Sequence, residues 1–135
     1  MYKELDDVDR RLIEAAGEAL NKNYLDGRNT VAAAVLTAGG RVFVGMSVEG
    51  SGFGACAETV AMGAAISAGE REYRRFAAVT FGKHGLLVLS PCGNCRQMIL
   101  DYAPRAEAAV TKDGQAVRAA VTDLLPAPYA MGDGR

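Results

Sequence analysis

Leu86-Leu87-Val88-Leu89-Ser90-Pro91-Cys92-Gly93-Asn94-Cys95 runs from an apolar, strand-like tetrad through a proline into a Cys-x-x-Cys. Proline suits the first position of a helix, where its missing N–H is no loss, and the spacing predicts a helix from Cys92 to Asp101, closed by Pro104. The remaining cysteine stands in Cys56-Ala57-Glu58 and opens a second run, with Ala57, Ala61, Gly63, Ala64, Ala65 and Ile66. That run of small residues predicts a fully buried helix ending near Ala68-Gly69. Both cysteine motifs therefore sit where a loop becomes a helix.

Working outward, Val31 to Leu36 and Arg41 to Val48 are β-favouring runs around Thr37-Ala38-Gly39-Gly40, which predicts a hairpin. Asp6 is placed to cap an amphipathic first helix carrying Val8, Leu12, Ala16 and Leu20, followed by a polar loop from Asn21 to Asn29. Gly50, Gly52 and Gly54 predict a loop over Glu49 to Ala55. Phe76 to Phe81 reads as a third strand, and Leu86 to Leu89 as the lead-in to Pro91. Ala108 to Thr111 and Ala116 to Arg118 read as short strands about Asp113-Gly114, before a helical turn at Thr122 to Leu125. The expectation is one α/β domain over residues 1–135, with a mixed sheet because it begins on a hairpin.

The bulk composition narrows the partners. Fifteen basic against sixteen acidic residues give a net charge of -1, with no basic run of the kind that tracks a phosphate backbone. No polynucleotide partner is expected. No apolar run approaches the length of a membrane span, and Met1 to Asp7 is acidic without the apolar core of a signal peptide. An odd count of three cysteines without a secretion signal favours metal or redox chemistry over a disulfide framework, so a cytoplasmic setting is expected.

Three thiolates are one ligand short of a closed structural zinc site and leave a coordination position open. Glu58, two residues beyond the first ligand, would move the proton of a water held there. The pattern points to a catalytic Zn2+, one per chain. Two other readings remain open. Cys92-x-x-Cys95 at a helix start also suits a thiol redox protein, and a site of this kind can bind a ligand without turning it over.

Cys56-x-Glu58 with Pro91-Cys92-x-x-Cys95-Arg96-Gln97 resembles the cytidine deaminase superfamily, in its branch of blasticidin S deaminases and small tetrameric cytidine deaminases. Gly40-Arg41-Val42-Phe43-x-Gly45 and Leu124-Leu125-Pro126-x-x-Tyr129 add to the likeness. The resemblance implies an α/β/α three-layer sandwich on a five-stranded sheet and a homotetramer. It implies Cys56, Cys92 and Cys95 as zinc ligands and Glu58 as proton shuttle. The implied activity is hydrolytic deamination of a small aminopyrimidine, a cytosine-type nucleoside such as cytidine, deoxycytidine or a blasticidin S-like molecule. A free or modified nucleobase is one alternative, and a non-catalytic member that binds a nucleoside is another.

Substrate contacts are expected at Phe43, Ser47, Glu49, Ala57 and Tyr129, with Arg96 supporting the thiolates, although Phe43, as an aromatic in a strand, also reads as a core residue. Two positions depart from the family. Ser47-Val48-Glu49 stands where an Asn-Val-Glu triplet holds a ribose. Thr59 stands where many members carry an arginine that offsets thiolate charge, which leaves Arg96 as the candidate for that work.

Overall fold

The computed structural model describes residues 1–130. In chain order the elements are β1 (Tyr2–Lys3), α1 (Asp7–Asn23), β2 (Ala32–Thr37), β3 (Val42–Met46), β4 (Val48–Gly50) and β5 (Phe53–Ala55). Then come α2 (Ala57–Ser67), β6 (Tyr73–Gly82), β7 (Gly85–Leu89), α3 (Gly93–Tyr102), β8 (Glu107–Lys112), β9 (Gln115–Ala120) and α4 (Val121–Leu124). The main sheet has the order β1-β9-β8-β6-β2-β3, with β7 also paired to β6. β6 runs parallel to β8 and antiparallel to β2, so the sheet is mixed.

Period-two alternation assigns the layers. Ala32, Ala34, Ala77 and Val79 face Leu12, Ala16 and Leu20 of α1. Their immediate neighbours Ala33, Val35, Phe76 and Ala78 face the opposite core, with Ala61 and Met62 of α2 and Ile99 of α3. Both sheet faces are thus covered by helices, which is the α/β/α sandwich. Each fully buried Leu of α1 contributes about 1.5–3 kcal/mol.

The expected count of five strands is corrected to seven in the main sheet. Leu86 to Leu89, read as a lead-in, pairs with Ala78 to Phe81, because Gly85 adopts a φ of 110° that closes a tight turn. Tyr2 and Lys3 add a two-residue edge against Ala119 and Arg118. Asp113 and Gly114 both take positive φ, 52° and 80°, as a two-residue hairpin of the primed type requires. The expected loop over Glu49 to Ala55 is instead a two-stranded ribbon, with Glu49 opposite Gly54. Helix α1 also runs on into the expected loop, to Asn23.

Helix α2 is buried on one face only. Ala57, Ala61 and Ala65 lie against the sheet, whereas Thr59, Gly63 and Ala64 are exposed. Its close approach depends on Gly45 in β3, where a Cβ would collide with the backbone nitrogen of Ala61.

Asp6 caps α1 in a reciprocal box with Asp9 and is clamped by Arg75, whose Nη2 lies 3.0 Å from Asp6 Oδ2. Arg118 reaches the same pair of carboxylates. Hydrogen bonding from Arg75, and next from the Asp9 amide, holds the Asp6 carboxyl well below the usual carboxylate range. With its folded value depressed, Asp6 contributes its full stabilisation above the unfolded value of about 3.9 and loses it as pH falls through the folded value. Asp6→Asn keeps the capping oxygen but not the charge. Urea midpoints of wild type and Asp6→Asn should therefore differ at pH 7 and converge steadily below about pH 4.

Candidate metal centre

Both helix starts that carry the cysteines lie at one end of the sheet, on the α2/α3 face. Cys56 is the N-cap of α2 and Cys92 the N-cap of α3. The strand-to-helix passages β5–α2 and β7–α3 bring them together across a sequence separation of 36, with their Sγ atoms 3.6 Å apart. Cys95, one turn into α3 and fully buried, completes a cluster whose Sγ atoms all lie within 4.8 Å of one another. Zinc–sulfur bonds of about 2.3 Å at the tetrahedral angle put two sulfurs about 3.8 Å apart, so the donor set fits the ion.

The electrostatics also ask for a cation. Burial pushes the Cys56 thiol up, and burial followed by the neighbouring Glu58 charge pushes Cys95 up strongly. At Cys92 burial acts the same way and is the largest single influence, but the Cys95 amide, donating to Cys92 Sγ at 3.4 Å, together with hydrogen bonds from the Cys56 and Cys95 side chains and the Asn94 amide, outweighs it and leaves that thiol lowered. Three thiolates so close together are held only when a divalent ion offsets their charge. The helix N-terminal amides supply part of the remaining compensation.

Glu58 occupies the first turn of α2 and is 6 % exposed, a burial that needs a reason in a carboxylate. Burial raises its carboxyl above the ordinary range, against the opposing pull of a backbone amide and Cys95. It lines a cavity of about 640 Å³ together with Thr30, Ser47, Glu49, Cys56 and Cys92.

The other residues singled out by sequence divide. Ala57 lines the cavity. Phe43 does not: it pairs with Val35 in the sheet, packs on the core under α2, and stacks below the Arg41 guanidinium. Tyr129 is 69 % exposed and does not line this cavity, although Gln97 Nε2 donates to its carbonyl at 3.0 Å. Arg96 makes no hydrogen bond to a cysteine sulfur among the described residues. Its Nε donates to Pro91 O at 2.7 Å and its Nη1 to Leu124 O at 2.9 Å, so it ties the cysteine loop to α4. The hydroxyl near the thiolates belongs to Thr59, with Oγ1 3.9 Å from Cys95 Sγ.

The sequence reading missed Thr30, Ser90 and Asn94 in the cavity wall. A signal for Thr30 existed. Ala32 pairs with Met46 and Ala33 with Gly45, and extending that register sets residues 29–31 beside residues 47–49.

The sequence model of the family described as the cytidine and deoxycytidylate deaminase zinc-binding region matches residues 6–111. The chain belongs to that family. It is accordingly a zinc-dependent hydrolase of the deaminase type, and its three-cysteine cluster has a geometry consistent with one zinc per chain. Blasticidin-S deaminase of Bacillus cereus is 31 % identical over 128 residues, covering 90 % of this chain and 91 % of that protein. Cytidine deaminase of Halalkalibacterium halodurans is 32 % identical, covering 93 % and 98 %. Among solved structures, cytidine deaminase of Burkholderia pseudomallei aligns with a TM-score of 0.75 at 35 % identity, covering 89 % of this chain and 98 % of that one. That of Mycobacterium tuberculosis aligns with a TM-score of 0.74 at 32 % identity, covering 94 % and 100 %. Among the described residues no helix is long and apolar enough to cross a membrane.

Proposed function

We propose that this deaminase acts on a cytosine-type nucleoside, cytidine, deoxycytidine or a blasticidin S-like molecule, replacing the exocyclic amine by oxygen with release of ammonia. Cys56, Cys92 and Cys95 hold one Zn2+, and residues 1–135 act as a single domain. The observation that carries the assignment is the buried Glu58 lining one cavity wall with Cys56 and Cys92, two members of the three-sulfur cluster.

When bound, zinc lowers the pKa of a water to near neutrality. The protein supplies the rest. Glu58 takes a proton from water and delivers it to the ring nitrogen, and a second transfer through the same carboxylate lets the amine leave as ammonia. Its burial suits that work, because a raised carboxyl can both accept and return a proton. Glu49 accepts a hydroxyl of the sugar. Ala57, with no side chain beyond Cβ, leaves room for the ring beside the cluster.

The finer setting follows from the same reading. A homotetramer is supported by surfaces that face outward in the single chain: Gly63 and Ala64 of α2, and Phe53 at the cavity rim, 69 % exposed. Partner chains would close the rim and give Tyr129 a ring to cover. The cytoplasm, where thiols stay reduced, suits three free cysteines.

Ammonia release from cytidine, deoxycytidine, blasticidin S and cytosine at matched zinc content tests the assignment. Turnover of at least one nucleoside, with about one zinc per chain, is the expected result. Zinc-loaded protein that releases ammonia from none of them would overturn it. Turnover of cytosine well above every nucleoside would move the substrate to a free base. That second reading has its own support in Ser47, which offers a sugar less than an asparagine would.

A further inference from the structure

Thr30, Ser47 and Glu49 form a hydrogen-bond arrangement in the cavity wall that the metal chemistry does not call for. Ser47 is 4 % exposed. Its hydroxyl donates to Glu49 Oε2 at 2.6 Å and accepts from the backbone N–H groups of Thr30 and Val31, each at 3.1 Å. One donor and two lone pairs are all that a serine hydroxyl possesses, so Ser47 has no hydrogen-bonding capacity left for a substrate.

Glu49 is held on one side only. Oε2 accepts from Ser47, from the Thr30 backbone N–H at 2.9 Å and from Thr30 Oγ1 at 2.8 Å. Oε1 has no hydrogen-bond partner among the described residues. The flanking backbone is pinned as well, with Glu49 N donating to Arg28 O at 2.9 Å and Asn29 Nδ2 donating to Ser47 O at 2.8 Å. Three donors on one oxygen keep the group ionised: hydrogen bonds from Ser47, and then Thr30, hold its carboxyl below the ordinary range.

We infer that Thr30 and Ser47 lock Glu49 as a one-sided anionic acceptor, with Thr30 the positioning residue, so that this wall selects substrates presenting a single hydroxyl or ammonium donor to Oε1. The inference rests on the proposed function and says what its substrate must carry. An asparagine at position 47 would offer substrate both a donor and an acceptor. The Ser47 arrangement offers neither, and moves all recognition to one carboxylate oxygen. A charge-assisted hydrogen bond to an acceptor already in place needs no reorganisation when substrate arrives. A ligand without the donor leaves Oε1 desolvated and unpaired, a loss of about tenfold or more in affinity.

Thr30→Val is close to isosteric and removes only the Oγ1 donor, while Thr30→Ser restores it. With the nucleoside best turned over by wild type, Thr30→Val should raise KM about tenfold and leave most of kcat, and Thr30→Ser should return KM close to wild type. An unchanged KM in Thr30→Val would overturn the lock. So would a loss confined to kcat, or one that Thr30→Ser does not repair. A second measurement is independent of turnover. Followed by carbon-13 NMR, the Glu49 carboxyl should titrate below the ordinary glutamate range in wild type and move upward in Thr30→Val; an unmoved midpoint would equally overturn the lock. Zinc-loaded wild type that turns over no nucleoside, yet shows this Glu49 behaviour, supports the lock while sinking the nucleoside assignment.

Discussion

Replacing Glu58 by Gln should lower kcat by about 10²–10⁴-fold, the range lost when a positioned general acid–base is removed, while zinc stays near one per chain. The substitution preserves shape and hydrogen-bonding groups but cannot carry a proton at neutral pH. Glu58 packs at 6 % exposure in the first turn of α2, so a neutral amide also spares the helix a buried charge, and stability should hold or rise slightly. Zinc content by atomic emission, thermal midpoint and ammonia release on the same preparation separate the three quantities. Retention of more than about a tenth of wild-type kcat at full zinc would be far too much for loss of a general acid–base, and would remove Glu58 from the chemistry.

Cys95→Ser should act on the other half of the site. A serine hydroxyl is a hard, weakly acidic donor, and its substitution for a thiolate leaves two soft ligands where zinc needs three. Zinc per chain should fall well below half, and ammonia release should fall by at least as much as in Glu58→Gln. Cys95 is fully buried, and metal binding contributes folding energy, so the thermal midpoint should drop in the same variant. Wild type stripped with a chelator should reproduce that drop and recover on zinc addition. A redox protein built on Cys92 and Cys95 would behave differently: activity would follow thiol oxidation and be indifferent to chelation. Cys95→Ser that keeps stoichiometric zinc would show that the third sulfur is not a ligand.

The metal cluster and Glu58 are legible in sequence because their chemistry is local. A thiolate one residue from a helix start, and a carboxylate two residues later, keep that relation in any fold that forms the helix. The layer order came with the family resemblance, not from the strand itself: the uniformly apolar run from Val31 to Leu36 shows no alternation, and only the structure divides Ala32 to Val35 between two cores. Phe43 was legible as core but not as a site residue: its place in a motif also set it near substrate, and the strand register puts it opposite Val35, packed on the core and away from the cavity wall. Arg96 follows Cys95 directly, yet its guanidinium turns to two carbonyls. Adjacency along a helix does not decide where a side chain of that length ends.

From the sequence alone came the α/β class, a zinc-dependent hydrolytic reaction, and the three cysteines and the carboxylate proposed to carry it, each resting on residue types whose properties travel with them. The tertiary structure decided what those residues face. It joined Cys56 to Cys92 across α2 and the β6–β7 hairpin, paired an extra strand with β6, turned a glycine-rich loop into a ribbon, and spent every hydrogen bond of the Ser47 hydroxyl inside the protein. Those outcomes depend on register and on which partners are in reach, and both are set only when distant strands pair.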